Sequence, residues 1–285
     1  MSLIVGCFLL VACKDSSQTI EKEPEKDIVI NDEFTDEAFQ EYIAENFDTN
    51  DDGKLSDDEI SKVSVITING FQDAKFKSLK SLDGIEIFAE LKDLTCYECG
   101  LSEIDVSKNI KLESLVVGHT DLKELDVSNN VKLQVLDIDD TDIQKLDLSG
   151  NSAIKRLSIG DTQINEIDIS MLEELITFDC APNIQNLDLT NNKKLEGLSI
   201  DNTKISEIDL SQNVSLANFS CVDAELLTSV DFSGNPNLTS IYCQRSGVKE
   251  LDLSNNPEMF EVECDEDTVI TGGENLTYLQ KFPEE

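Results

Sequence analysis

One unit returns along most of this 285-residue chain, and that return limits what it can fold into. The apolar residue ahead of a recurring Asp falls at Ile104, Leu125, Leu146, Ile167, Leu187, Ile208, Val230 and Leu251. Successive steps are 21, 21, 21, 20, 21, 22 and 21 residues. A unit so short cannot bury an apolar face alone and must stack on copies of itself. A fixed period of roughly 20–30 residues marks such a solenoid. Its core grows in one dimension, so the length does not by itself imply several globular domains.

The first full unit reads Leu91-Lys92-Asp93-Leu94-Thr95-Cys96-Tyr97-Glu98-Cys99-Gly100-Leu101. It follows the pattern L-x-x-L-x-L-x-x-N/C-x-L, and the chain therefore resembles the leucine-rich repeat proteins. That resemblance implies a mainly β solenoid over residues 64–285, with one short strand per unit. The strands fall at 94–96, 115–117, 136–138, 157–159, 178–180, 198–200, 219–221, 241–243 and 262–264, stacked into one parallel concave sheet. The remainder of each unit is too short for a helix and should run extended or as tight turns.

Several polar columns repeat with the units. Asn109, Asn130, Asn151, Asn192, Asn213, Asn235 and Asn256 form one, and Thr120, Thr141, Thr162 and Thr203 another. Buried turns need side chains to satisfy their backbone groups, so these columns read as structural. The Asp column, from Asp105 to Asp252, reads as an outward, solvated acidic stripe. Unit five departs from the pattern at Met171-Leu172 and Pro182, which predicts a local irregularity. Cys96, Cys180, Cys221, Cys243 and Cys264 share the last apolar position of the strand pattern and are expected to be free, buried thiols.

Charge narrows the functional classes. Fifty-nine acidic residues against 22 basic ones leave a net charge of −37. Such a chain repels nucleic acid and anionic membrane surfaces and favours cations and basic partners. There is no Trp and there are four Tyr, few aromatic platforms for a carbohydrate ligand. His119 is the only His, and no phosphate loop or nucleophile–base spacing occurs. The chain therefore reads as a non-enzyme.

The first 13 residues form a short apolar run ending Leu10-Val11-Ala12-Cys13. The run is too short to span a bilayer, resembles the apolar part of a signal peptide, and ends like a bacterial lipobox. Cys13 is then the expected lipid attachment site, placing the chain outside the cytoplasm on the bacterial envelope, at the outer membrane surface. The only membrane contact would be through that lipid. Residues 14–31 are charged, interrupted by Pro24, and read as a disordered acidic tether resembling the export flank of Bacteroidetes lipoproteins.

Residues 32–63 read as a small helical cap built around an EF-hand-like loop. Asp48, Asn50, Asp52, Gly53 and Glu59 satisfy every fixed position of D-x-[DN]-x-[DN]-G-x5-E. Ca²⁺ takes six to eight hard oxygens. Asp48, Asn50 and Asp52 offer side-chain oxygens, Lys54 its carbonyl, Ser56 a water-mediated contact and Glu59 a bidentate carboxylate. Thr35 is expected to cap the preceding helix, and a second helix should start at Ser56. Leucine-rich proteins resembling internalins carry such a cap before their first repeat, and a single loop, unlike sensor EF-hands that open a helix pair onto a target, is expected to hold one structural calcium rather than act as a switch.

Ligands of leucine-rich repeat proteins usually meet the concave sheet. Its outward positions are acidic here, with Tyr97, Tyr242, Arg156 and Arg245 as the few residues of hot-spot type. Asp137, Asp139 and Asp140, between His119 and Arg156, carry the densest charge. The function expected is a surface-anchored binding or adhesion protein, engaging a protein partner with a basic surface. A structural envelope lipoprotein without a specific ligand is the alternative.

Overall fold

The computed structural model describes residues 27–283. The expected tether overlaps the start of the cap, because Ile28–Val29 form strand β1 and Ile30–Glu33 a short helix, α1. Helix α2 spans Glu37–Phe47, β2 Lys54–Leu55 and α3 Asp57–Ile60. Strands β1 and β2 pair antiparallel, with Ile28 opposite Leu55. Asp36, not Thr35, caps α2: its carboxylate accepts from the amides of Ala38 and Phe39. Thr35 instead donates its hydroxyl to Asp83. Ser56 caps α3 in a reciprocal box with Glu59.

The apolar face of the cap covers the first turn of the solenoid. Phe34 stands edge-on to Phe39 at 5.2 Å and stacks on Phe88 at 6.0 Å. Gly84, at φ +95, makes this packing possible. A Cβ there would lie 2.5 Å from the Phe34 ring.

The solenoid follows as β3 (Val65–Asn69), β4 (Asp93–Tyr97), β5 (Ser114–Val116), β6 (Val135–Asp137), β7 (Arg156–Ser158) and β8 (Thr177–Asp179). Then come β9 (Gly197–Ser199), β10 (Asn218–Ser220), β11 (Ser240–Cys243), β12 (Glu250–Leu253), β13 (Glu261–Asp265), β14 (Val269–Gly272) and β15 (Tyr278–Phe282). Eleven of these make one parallel sheet in chain order from β3 to β15, while β12 and β14 pair separately. The nine expected strands are present, each starting one residue early, and β3 and β15 extend the sheet at its two ends. Leu115, Leu136, Leu157 and Phe178 stack in register along the core. Each is at most 2% exposed, and such burial is worth about 1.5–3 kcal/mol per side chain.

Seven strands, β4 to β7 and β9 to β11, leave through a residue in the left-handed region: Glu98, His119, Asp140, Asp161, Asn202, Asp223 and Arg245, at φ between 48 and 58. Asp and Asn tolerate that conformation best among residues with a Cβ. In unit five the position holds Pro182, whose ring fixes φ near −65°. The column skips that unit, as the sequence irregularity predicts.

The polar columns hold the turns. Asn130 donates its amide to the carbonyls of Val106 and Asn109, and Asn151 to those of Val127 and Asn130, all at 3.0 Å. The Thr120, Thr141, Thr162 and Thr203 hydroxyls each donate to the carbonyl three residues back at 2.7–2.8 Å. The Asp column faces outward but is more than a solvated stripe. Each carboxylate accepts the amide two residues on, as Asp126 does from Ser128 at 2.9 Å and Asp168 from Ser170 at 2.9 Å. The Ser128 and Ser170 hydroxyls first, and then these amide bonds, hold the Asp126 and Asp168 carboxyls below the usual range.

The six described cysteines are free and buried. Cys243 and Cys264 are register partners on β11 and β13. Burial pushes the Cys180 and Cys221 thiols up to about 12, so they behave as small apolar side chains.

Candidate functional site

Parallel stacking brings the outward strand positions into columns about 4.8 Å apart, and side-chain size along a column decides the relief. Between Arg156 and Tyr242 the columns carry small residues: Ser158, Gly197, Ser199 and Ser220. The result is a depression of about 480 Å³ in the middle of the concave sheet, with Val135, Asp137, Thr177 and Asp179 among its lining. Of the residues singled out in the sequence, this groove unites Asp137, Arg156 and Tyr242. Arg156 is exposed at the start of β7. The Tyr242 hydroxyl donates to Glu261 at 2.7 Å, which raises its own pKa. Gly197 is the residue that sequence reasoning missed. Its signal was the absence of bulk at one strand position.

A second cluster sits toward the N-terminal half. The Tyr97 ring meets His119 edge-on at 4.8 Å. His119 Nδ1 lies 2.8 Å from Asp140, and Nε2 lies 3.8 Å from Asp139. Asp139 is pushed up to about 6, first by burial and then by the neighbouring carboxylates of Asp179, Asp137 and Asp161. Burial raises Asp179 as well. Arg245 belongs to neither group. It sits in the left-handed turn column and forks onto Asp223 with two bonds of 2.6 and 2.7 Å.

The cap loop has the expected donors and turn. Gly53 adopts φ +76. Its present bonds, however, are internal. Asp48 accepts from the amides of Asp52 and Gly53, Asn50 from that of Asp52, and Asp52 from that of Lys54. Both Glu59 oxygens are engaged, one by the Thr49 amide and hydroxyl at 2.8 and 2.6 Å, the other by those of Ser56 at 2.9 and 2.8 Å. These bonds, led by the Thr49 hydroxyl, hold the Glu59 carboxyl down at about 2. Among the described residues no three acidic, His or Cys side chains converge closely enough to hold a metal ion. The residue types and the turn fit Ca²⁺; the side-chain placements are those of a loop stapled by its own hydrogen bonds. Cys13 lies outside the described residues. No described helix is long and apolar enough to cross a membrane.

The fold is a mainly β, parallel-sheet leucine-rich repeat solenoid, and its structural neighbours include bacterial internalins. The functional domain of InlJ from Listeria monocytogenes, noted for a cysteine ladder, matches at a TM-score of 0.56 and 22% identity. The match covers 88% of this chain and 63% of that domain, so the chain spans less than two thirds of that neighbour. The internalin InlF from the same organism matches at 0.53 and 14% identity, over 93% of this chain and all of the other. A plant peptide hormone receptor, RGFR1 in complex with RGF2, matches at 0.56 and 17% identity, over 71% of this chain and 36% of the receptor. No protein-family model matches the chain, and no curated protein matches it.

Proposed function

We propose that this chain is a binding or adhesion module of a bacterial cell surface that engages a protein partner through its concave sheet. The carrying observation is the central groove, a relief built into an otherwise regular sheet and bordered by carboxylates. Acidic residues there steer a positively charged partner, so association should slow steeply as salt rises. Reversal of Asp137, Asp139 and Asp140 to Lys, read by association rate against a captured partner, tests the assignment. An equal loss on reversing the convex Glu103, Glu124 and Glu166 would overturn it.

Two further parts complete the reading. Cys13 carries a lipid that anchors the chain to the envelope. Metabolic labelling with a palmitate analogue should give a signal that Cys13→Ser abolishes. The loop from Asp48 to Glu59 takes one structural Ca²⁺, with Asp48, Asn50, Asp52, Lys54, Ser56 and Glu59 holding it. Binding then costs the loop the internal bonds described above, so the affinity is set by that exchange.

A further inference from the structure

The strand column that ends the concave positions mixes large and small residues: Tyr97, Gly118, Asp139, Gly160, Ala181, Asp201. Gly160 lies between two carboxylates. A Cβ built on it would fall 2.4 Å from Asp139 Oδ1 and 2.9 Å from Asp179 Oδ2. The two oxygens therefore stand no more than 5.3 Å apart, the sum of those distances, over a bare backbone. Asp179 also lines the central groove, so the gap adjoins the groove along its edge. The protein's own donors serve the two carboxylates unequally. Ser199 and Ser158 both turn hydroxyls to Asp179, the latter at 3.5 Å, whereas His119 comes no closer to Asp139 than 3.8 Å.

The groove sets the shape of what can lie there. From β7 to β11 is four strand spacings, about 19 Å. An extended chain covers that in about six residues. The small residues of the floor leave room for a backbone and short side chains. Arg156, exposed and in no ion pair among the described residues, opposes a uniformly basic surface at this point. A single cation on the Asp139 side avoids it.

We propose that the groove takes an extended peptide segment across β7 to β11, with one Lys or Arg side chain set between Asp139 and Asp179 over Gly160. This rests on the concave-face reading and narrows it, from a basic surface to one cation in an extended strand. Two carboxylates at that separation match an ammonium or guanidinium group, which carries several donors. The partial desolvation of both strengthens the attraction relative to an exposed pair.

The probes are two blocked hexapeptides of Ala, Ser and Val with one Lys at the first or at the last position, each compared with the same peptide carrying norleucine in its place, because Gly160 lies at the β7 end of the span. Binding to the full chain is read by nuclear magnetic resonance shifts at millimolar peptide. One of the Lys peptides should bind about tenfold more tightly than its norleucine counterpart. Asp139→Asn and Asp179→Asn should each remove most of that preference, and Gly160→Ala should do so by filling the gap. Glu207→Gln, which makes the same charge change on the convex side, should keep it, and thermal melting of each variant checks that it is folded. Equal affinity within both pairs, an undiminished preference in Asp139→Asn, the same loss in Glu207→Gln, or no binding of any peptide overturns the proposal. Each of those outcomes leaves the broader concave-face reading to its own salt and charge-reversal test.

Discussion

The side-chain amide of Asn151 donates to the carbonyl of Asn130, 3.0 Å away and one unit back along the chain. Asn130 repeats the contact with Asn109 at 3.0 Å. Both groups are fully buried. Asn151→Ala leaves the carbonyls of Val127 and Asn130 without that donor. The expected cost is about 2–4 kcal/mol, since an unsatisfied buried group costs about 1–3 kcal/mol. Urea unfolding measures it. Asn191→Ala, which removes an exposed bond to Ser170, should shift stability by no more than about 0.5 kcal/mol. Equal losses would show that the buried ladder is not special.

The Asp column should respond to shape more than to charge. Asp168→Asn keeps an oxygen for the Ser170 amide and should leave the melting temperature nearly unchanged. Asp168→Ala removes the acceptor and should lower it. Were the stripe only solvated charge, the two variants would melt alike.

Asp139 makes a prediction with a definite sign. Its folded pKa, about 6, lies above the ordinary 3.8. The folded state thus favours the protonated form. The stability this contributes is present below about pH 4 and is lost as pH rises through 6. Asp139→Asn should therefore be more stable than wild type at pH 7, by on the order of 1–2 kcal/mol after solvent screening. The two proteins should converge below pH 4. A variant less stable than wild type at pH 7 would contradict this.

Glu59 carries the opposite sign. Its folded pKa of about 2 lies below the ordinary 4.5. Its contribution is present above pH 4.5 and is lost as pH falls toward 2. Glu59→Gln should flatten the acid limb of the melting curve in chelator.

Calcium adds a separate readout at neutral pH. A hundredfold excess over Kd would raise stability by about 2.7 kcal/mol if the ion binds only the folded state. Equal melting temperatures with Ca²⁺ and with chelator would leave the loop held by Thr49 and Ser56 alone.

The apolar spacing and the Asn and Thr columns made the solenoid legible, because stacking forces one residue type onto the same place in each turn. Other features depended on geometry that spacing does not carry. The groove arises where Gly197 lacks a side chain, and absence leaves no motif. The turn-holding role of Asp126 and Asp168 was hidden by their exposure. Thr35 and Asp36 are both good helix caps, and only the packing of α2 chooses between them. Arg245 read as a residue of hot-spot type on the concave face, yet Asp223, 22 residues earlier, lies within its reach once the turns are stacked.

The asparagine contacts also give the molecule a structural reading frame. Each buried Asn finds its two carbonyls one turn behind, so a net change of one residue moves every later Asn out of step unless a turn absorbs it. Unit five shows what absorption takes: the step there is 20 residues, Pro182 occupies the exit position, and Asn192 still reaches Ile169 and Leu172 at 3.1 and 2.9 Å. Such a protein gains and loses length by whole turns. Its reach along a partner is therefore set in discrete increments, each adding one further strand to the face that does the binding.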